Sequence, residues 1–258
     1  MEEFVSKGFR SASLRTIVKK AGVTTGAFYG YYDSKEELFN ALMGDRADEF
    51  AGKYEESERT TLGRIRKAAI DEFIKKGYRA SSLRNIVKLA GVTTGAFYGY
   101  YSSKEALFDE LVGRQYREFT RTYKEFQEQF AALPIEEQQR QMENHVWDRS
   151  EWMTRYIYEN KTVFKLLICG ADGTKYENFL DDLVQLKAEA AQKFLDTMHQ
   201  NGVKTNPVEP ELEHLLYNGL FASFFELVIH DIPRENADRY IRQLQEFYMA
   251  GWKKIIGI

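Results

Sequence analysis

The sequence predicts an all-α fold, and three observations support this class. Apolar residues recur at spacings of three and four in most segments of the 258-residue chain, as they do on one face of a helix. Only four prolines occur and 43% of the residues are apolar, which favours long packed helices over disorder. The first half of the chain also consists of two similar copies of one segment, and each copy carries start and stop signals for short helices.

The repeat is the strongest signal in the chain. Residues 3–50 recur at residues 72–119, with 32 of 48 positions identical. Because a solenoid needs about three stacked repeats, we expect each copy to be close to a folding unit by itself. Copy one, defined as residues 1–58, lacks counterparts of Ile65, Ala68 and Ala69 in copy two, residues 59–113. We therefore expect copy one to be truncated, and loosely folded or dependent on a neighbour.

Copy two carries the signals of successive helices. A first apolar stripe covers residues 62–74. Ser81 or Ser82 precedes a short helix that ends at Gly91, Thr93 or Thr94 precedes a second short helix, and Ser103 precedes a longer one that we expect to reach about residue 123. Two short helices around a glycine-centred turn form a helix-turn-helix, whose second helix enters the major groove of DNA.

The side chains of this segment suit a phosphate backbone. Thr93 and Thr94 offer hydroxyls at a helix start, and Gly95 allows close approach. Tyr98 and Tyr100 are expected to bond the backbone and brace the turn. Arg84 is expected to reach a phosphate or a base edge. The alternatives are a solvated surface charge for Arg84, a capping role alone for Thr93, and partly buried aromatic rings for Tyr98 and Tyr100. Lys104 opposes the dipole of its own helix, which a phosphate partner would explain.

The stretches at 82–86, 90–98 and 100–107 resemble the DNA-binding domain of the TetR family of transcriptional regulators. The resemblance implies a homodimeric, ligand-responsive repressor that binds a double-stranded DNA operator. The expected DNA-contacting residues in copy two are Ser82, Arg84, Thr93, Thr94, Gly95, Tyr98, Tyr100 and Lys104. Their counterparts in copy one are expected to include Thr24, Thr25, Gly26, Tyr29, Tyr31 and Lys35. Two copies in one chain depart from the family, which normally has one.

Three interpretations of copy one stay open. It reads DNA beside copy two, it contacts protein, or it is an inert duplication or an artefact of where the chain begins. Its acidic exit segment, residues 45–56, disfavours approach to phosphates. A competing function for the whole chain is a small-molecule-binding or scaffold protein in which neither copy reads DNA.

The region 114–258 is expected to be a helical ligand-binding and dimerisation domain. Proline and glycine signals separate helices at about 135–159, 162–170, 174–201, 208–230 and 234–256. The last two are apolar over more than one face, so they are expected to bury surface inside the domain and against a partner. In the family that the chain resembles, the corresponding pair builds the dimer.

Polar-tipped aromatics between packed helices suit a mostly apolar ligand with a few fixed contacts. The candidate pocket residues are His145, Trp147, Trp152, Tyr156, Phe164, Cys169 and Phe224. The alternative for each aromatic residue is a place in the hydrophobic core. The sequence does not identify the effector.

Charge and composition narrow the function classes. Residues 60–113 carry nine basic and five acidic side chains, whereas the chain as a whole has a net charge of −3, so the basic segment fits a polyanion-binding module. One cysteine and four scattered histidines indicate neither disulfide nor metal site, and no cofactor loop or catalytic constellation occurs. We expect a cytoplasmic protein that is not an enzyme and has no membrane span.

Overall fold

A computed structural model of the chain describes residues 13–24, 28, 35, 38 and 60–258. Within these residues the regular structure is helical and contains no strand, which confirms the all-α prediction. The chain divides into two compact units, Met1–Gly63 and Arg64–Ile258. The domain boundaries expected at residues 58 and 113 stay predictions.

The described residues form ten helices, named here in chain order. They are α1 (Leu14–Lys20), α2 (Thr61–Ala80), α3 (Leu83–Leu89), α4 (Thr94–Tyr98), α5 (Lys104–Ala131), α6 (Ile135–Glu159), α7 (Lys161–Cys169), α8 (Phe179–Gln200), α9 (Pro210–Ile229) and α10 (Arg234–Ile256).

The first unit contains α1 and a small buried cluster. Ser13 caps α1, its hydroxyl accepting a hydrogen bond from the amide of Thr16 at 3.3 Å. The buried members of the cluster are Val18, Phe28 and Leu38. Their counterparts 69 residues later, Val87, Phe97 and Leu107, are also buried. The described apolar positions of the two copies therefore match.

The helices of copy two pack around aromatic residues. Phe73 on α2 and Phe108 on α5 meet edge to face, with ring centroids 5.2 Å apart, and both are buried. The helix α2 kinks at Gly77, where φ is +73° and the helical geometry is interrupted. Beyond the kink the amide of Tyr78 donates to the carbonyl of Gly170 at 2.8 Å, so the end of α2 is anchored to the segment after α7.

The helix α5 runs from copy two into a bundle formed with α6 to α10. Within this bundle α8 packs on α5 and α9, and α6 packs on α5 and α10. The observed helices lie close to the predicted ranges, with two differences. Helix α5 continues to Ala131, and α8 begins at Phe179 because residues 171–178 form turns, one of them held by the hydroxyl of Thr174 donating to the carbonyl of Ala171.

One helix in the described part of the chain, α9, is long and apolar enough by composition to cross a membrane, with a mean hydropathy of 1.2. From the sequence we expect no membrane span. The residues Tyr217, Phe221, Phe224 and Phe225 of α9 are buried in the bundle. A buried core helix of a helical bundle can have the same length and composition.

Candidate functional site

The helices α3 and α4 and the turn between them form the predicted helix-turn-helix. The turn passes through Gly91, whose φ of +62° lies in the left-handed region that favours glycine. Thr93 caps α4, its hydroxyl accepting from the amide of Ala96 at 3.1 Å. Ser82 stands at the N-cap of α3 in extended conformation, and its side chain makes no capping hydrogen bond.

The outer side of this unit carries the predicted DNA-contacting residues. Phe97 is fully buried and fixes α4 to the core, while the residues around it point to solvent. The exposed candidates in copy two are Ser82, Arg84, Thr93, Thr94, Gly95, Tyr98 and Tyr100. Seven of the eight candidates are therefore available to an external partner. The apolar side chain of Leu89 on α3 is 61% exposed beside them.

Lys104 is the eighth candidate; its contact with DNA stays a prediction, and its ammonium already has partners inside copy two. Its ammonium donates to the carbonyl of Tyr78 at 2.6 Å, to the carbonyl of Ser81 at 3.0 Å and to the hydroxyl of Ser81 at 3.2 Å. It also lies 4.1 Å from the centroid of the Tyr78 ring. The carbonyls of Tyr78 and Ser81 near the end of α2 explain its position, and all three ammonium protons have protein acceptors.

The expected bracing by Tyr98 and Tyr100 takes a different form. Neither hydroxyl donates to the backbone within the described residues, and the side chains are 55% and 51% exposed. Tyr98 packs edge to face against Phe97, with ring centroids 5.5 Å apart. Both phenols are therefore available for hydrogen bonds to a ligand.

A buried carboxylate holds the start of α3, and sequence reasoning missed it. Glu72 is 3% exposed and accepts hydrogen bonds from Lys76 at 2.9 Å, from the amide of Ser82 at 3.3 Å and from Asn85 at 3.3 Å. Burial acts to raise the pKa of Glu72, but these donors outweigh it and keep the pKa below its usual value. Nothing in the local pattern of α2 distinguishes Glu72 from a surface acid.

A second polar group connects α2 to α5. The hydroxyl of Tyr101 donates to Glu110 at 2.9 Å, and Arg66 donates to Tyr101 at 3.3 Å and forms an ion pair with Glu110. Burial lowers the pKa of Arg66, while its bonds to Tyr101 and Glu110 outweigh that and raise it overall. These contacts fix the chain just after α4 to α2 and α5, and so they hold the exposed surface of α3 and α4 in place.

Copy one is described at only part of its candidate site. Thr24 is exposed and Lys35 is half-buried. The other four candidates, Thr25, Gly26, Tyr29 and Tyr31, lie outside the described residues. Its contact with DNA stays a prediction.

The predicted ligand residues do not come together as one pocket. Trp152, Tyr156 and Phe164 instead surround the buried Phe119, with ring centroids 5.0–5.8 Å from it. Phe164 and Phe224 are buried in the core, and Cys169 is exposed. The ligand role of this set stays a prediction, and the contacts of these aromatics are those of the core alternative, because helical spacing identifies an apolar face without telling whether that face meets a cavity or another side chain.

Cavities lie instead where α6 approaches α8, α9 and α10. Of the predicted residues, His145 lines one of them, and Trp147 lines two further pockets between α6 and α10. The walls also contain the buried Arg149 and the half-buried Lys187, which sequence reasoning missed. Polar residues on an otherwise apolar helix face were the available signal.

The segment between α7 and α8 joins the bundle to the helix-turn-helix. Arg79 at the end of α2 pairs with Asp172 at 3.3 Å, beside the Tyr78–Gly170 hydrogen bond described above. On α5, Asp109 pairs with Lys175 at 2.6 Å and accepts a hydrogen bond from Tyr176. A movement of this segment would therefore act directly on α2 and α5.

The described residues hold no group of three or more His, Cys, Asp or Glu side chains that could bind a metal ion. The exposed helix-turn-helix and the bundle cavities are candidate sites for a ligand in this part of the chain.

Comparison with known proteins supports the family resemblance. The family described as bacterial regulatory proteins, tetR family, matches residues 1–42 and 65–111. An uncharacterized HTH-type transcriptional regulator of Bacillus subtilis, YdgC, is 47% identical over 49 residues, 19% of this chain and 25% of the relative. The HTH-type transcriptional repressor KstR2 of Rhodococcus jostii is 29% identical over 77 residues, 30% of this chain and 37% of the relative. The chain thus spans well under two thirds of either relative's length.

Solved structures of regulators also match over most of the chain. The TetR family transcriptional regulator PfmR from Thermus thermophilus is 21% identical, with a TM-score of 0.46, and the match covers 73% of this chain and 95% of that one. A putative TetR-family regulator from Mesorhizobium loti is 19% identical, with a TM-score of 0.44, over 72% of this chain and 94% of that one.

Proposed function

We propose that the chain belongs to the TetR family of bacterial regulatory proteins and that it is a DNA-binding transcriptional regulator and not an enzyme. The observation that carries the proposal is the exposed surface of α3 and α4, where Arg84, Thr94, Tyr98 and Tyr100 surround a helix anchored by Phe97. Short hydroxyls, phenols and a guanidinium are the donors that position a protein on phosphates and base edges. A protein acting on chromosomal DNA is expected in the cytoplasm.

We further propose that the regulator is a repressor released from its operator by a small molecule bound in the helical bundle. The support is the segment at 170–178, whose residues contact both the end of α2 and the side of α5. A ligand releases DNA only if it binds one arrangement of the helix-turn-helix units more tightly than the other. The name of one relative includes the word repressor, which agrees with this direction of control.

The active form is proposed to be a homodimer that pairs through α9 and α10. Large apolar side chains are exposed on these two helices: Leu212 (41%), Leu215 (66%), Tyr240 (36%) and Phe247 (72%). Exposed apolar side chains clustered on neighbouring helices are typical of an interface. A dimer presents two helix-turn-helix units to half-sites about one helical turn apart on DNA.

The internal repeat provides a matched test of DNA binding. Arg84 of copy two and Arg15 of copy one occupy equivalent positions and are both exposed. We expect Arg84→Ala to weaken binding to DNA selected from a random pool by about 5- to 150-fold, since one guanidinium contact to a base is worth about 1–3 kcal/mol. Fluorescence anisotropy at several salt concentrations measures both the affinity and the number of phosphate contacts.

The outcome of Arg15→Ala decides the role of copy one. A loss similar to that of Arg84→Ala means that both copies read DNA, whereas unchanged affinity assigns reading to copy two. If the wild-type affinity for DNA is independent of salt, or if Arg84→Ala has no effect on affinity or sequence preference, the proposed function is contradicted.

A further inference from the structure

Two neighbouring cavities lie among α6, α8, α9 and α10. Five wall residues belong to both: Val146, Arg149, Lys187, Met249 and Trp252. The larger cavity has a volume of about 250 Å³, and the smaller one about 70 Å³. Apart from the shared residues, the larger cavity is lined mainly by apolar side chains, among them Leu216, Leu220, Tyr248 and Ile255. The cavities therefore join an apolar space to a wall that carries positive charge.

Arg149 is the most unusual residue of this wall. Its side chain is 3% exposed, and it donates one hydrogen bond, to the side-chain oxygen of Gln127 at 3.2 Å. No carboxylate in the described part of the chain lies within 4 Å of its guanidinium. A guanidinium has five N–H donors, and burying it without an anion is costly. Arg149 thus has the chemistry to bind an anion and no anion from the bundle.

Lys187 adds a second cation to the same wall. Glu213 is the acid whose charge acts on it, and the two do not form an ion pair within 4 Å. Loss of hydration and the positive charge of Arg149 lower the pKa of Lys187 to about 7, while burial raises the pKa of Glu213. Loss of hydration is the largest cause of both shifts, and the repulsion between Lys187 and Arg149 adds to the first of them.

His145 completes the smaller cavity. Its Nε2 is buried without a hydrogen-bond partner, and its ring stacks on Phe130 with centroids 4.5 Å apart. Burial, together with the charges of Arg149 and Lys187, lowers the pKa of His145 to about 4, so the ring is neutral near pH 7. Its free nitrogen therefore offers a polar contact without adding a charge.

We propose that the two cavities form one site for an amphipathic carboxylate, whose charged group lies between Arg149 and Lys187 and whose apolar body occupies the larger cavity. This inference rests on the proposed ligand-responsive function and adds the chemical class of the effector. A planar carboxylate accepts two hydrogen bonds from a guanidinium in parallel, which suits the free donors of Arg149. A cationic ligand would meet two positive side chains, and a neutral one would leave the guanidinium without an anion.

The direct test is calorimetric titration of the full-length protein with straight-chain carboxylates from hexanoate to tetradecanoate. Each carboxylate is paired with the alcohol of the same length, which keeps the apolar body and removes the charge. We expect the best carboxylate to bind at least tenfold more tightly than its alcohol. If no carboxylate in the series binds more tightly than the matching alcohol, the anion site is refuted.

Substitutions of Arg149 and Lys187 test whether carboxylate binding depends on these two positive charges. Arg149→Met and Lys187→Met are each expected to reduce the affinity for the best carboxylate at least tenfold and to leave the affinity for the alcohol unchanged. Arg155→Met is the matched control, because Arg155 lies on the same helix with an exposed side chain. Carboxylate binding that survives in both Arg149→Met and Lys187→Met contradicts the site. Because the comparison of carboxylate with alcohol uses the wild-type protein, it stands even if one variant fails to fold.

A parallel measurement of DNA affinity separates this inference from the proposed function. If a carboxylate binds through Arg149 but the affinity for selected DNA does not change, the anion site stands and ligand-controlled release is refuted. If the protein binds DNA normally but binds no carboxylate in preference to its alcohol, the regulator stands and the anion site is refuted.

Discussion

Single residues of the helix-turn-helix differ in how far their neighbours in sequence determine their role. Thr93 caps a helix that begins at the next residue, so its hydrogen bond to Ala96 depends on a local pattern and was predictable. Lys104 binds carbonyls 23 and 26 residues away, and only the packing of α2 against α5 brings them together. Thr93 and Lys104 thus belong to the same motif and both are predicted from the sequence to face DNA, but Lys104 contacts other parts of the protein.

The internal role of Lys104 predicts an effect on stability. We expect Lys104→Met to lower the free energy of unfolding of the helix-turn-helix region by about 1–3 kcal/mol, because the carbonyls of Tyr78 and Ser81 lose a charged donor. Lys88→Met is the control, since Lys88 is exposed on α3 and its loss should change stability by less than about 0.5 kcal/mol. Urea unfolding measures both variants. Equal stability of the two would mean that the Lys104 contacts contribute nothing.

At the scale of helices, sequence patterns predicted the number and approximate bounds of the elements after residue 60. Glycine, proline and serine mark helix ends through local geometry, so α6, α7, α9 and α10 lie within two residues of their predicted ranges. Which residues line the cavities could not be predicted in this way. Trp152 and Phe164 face the core and Arg149 faces a cavity, although all three lie on helices with similar spacing, because the neighbouring helix decides what each face meets.

The kink of α2 supplies an element-scale prediction. Gly77 has a φ of +73°, and its kink lets the amide of Tyr78 reach the carbonyl of Gly170. We expect Gly77→Ala to destabilise this junction by about 1–2 kcal/mol, because a side chain disfavours the left-handed region. Gly63→Ala in the helical part of α2 is the control, and it should leave stability unchanged or raise it by up to about 1 kcal/mol.

Hydrogen exchange at the Tyr78 amide reports the local effect of Gly77→Ala. We expect faster exchange there, because opening of the junction becomes easier when the kink is strained. Unchanged exchange in Gly77→Ala would show that the glycine conformation is not required to hold α2 against the segment after α7.

At the scale of the whole molecule, the long helix α5 places the DNA-binding surface and the bundle cavities in one connected structure. Asp109 on α5 binds Lys175 and Tyr176, while residues farther along α5, such as Gln127, reach the cavity beside Arg149. A ligand that draws Arg149 and Lys187 together therefore acts on a helix that also supports the helix-turn-helix. The repeat and the exposed faces of α9 and α10 were visible in the sequence, whereas this connection required the packed structure.

The apolar surface on α9 and α10 gives a prediction about assembly. Leu215 and Phe247 are 66% and 72% exposed. If the dimer interface buries these side chains, replacing one with a charged residue removes a favourable apolar contact and weakens the dimer. We expect the wild-type chain to sediment as a dimer, and Leu215→Glu and Phe247→Glu to shift it toward monomer at the same concentration. Analytical ultracentrifugation measures the change.

Ile74→Glu, on an exposed apolar residue of α2, controls for loss of surface hydrophobicity in general and should leave the dimer intact. Because a dimer positions two DNA-reading units together, monomeric variants should also bind selected DNA more weakly, and dimers that survive both substitutions would exclude α9 and α10 as the pairing surface.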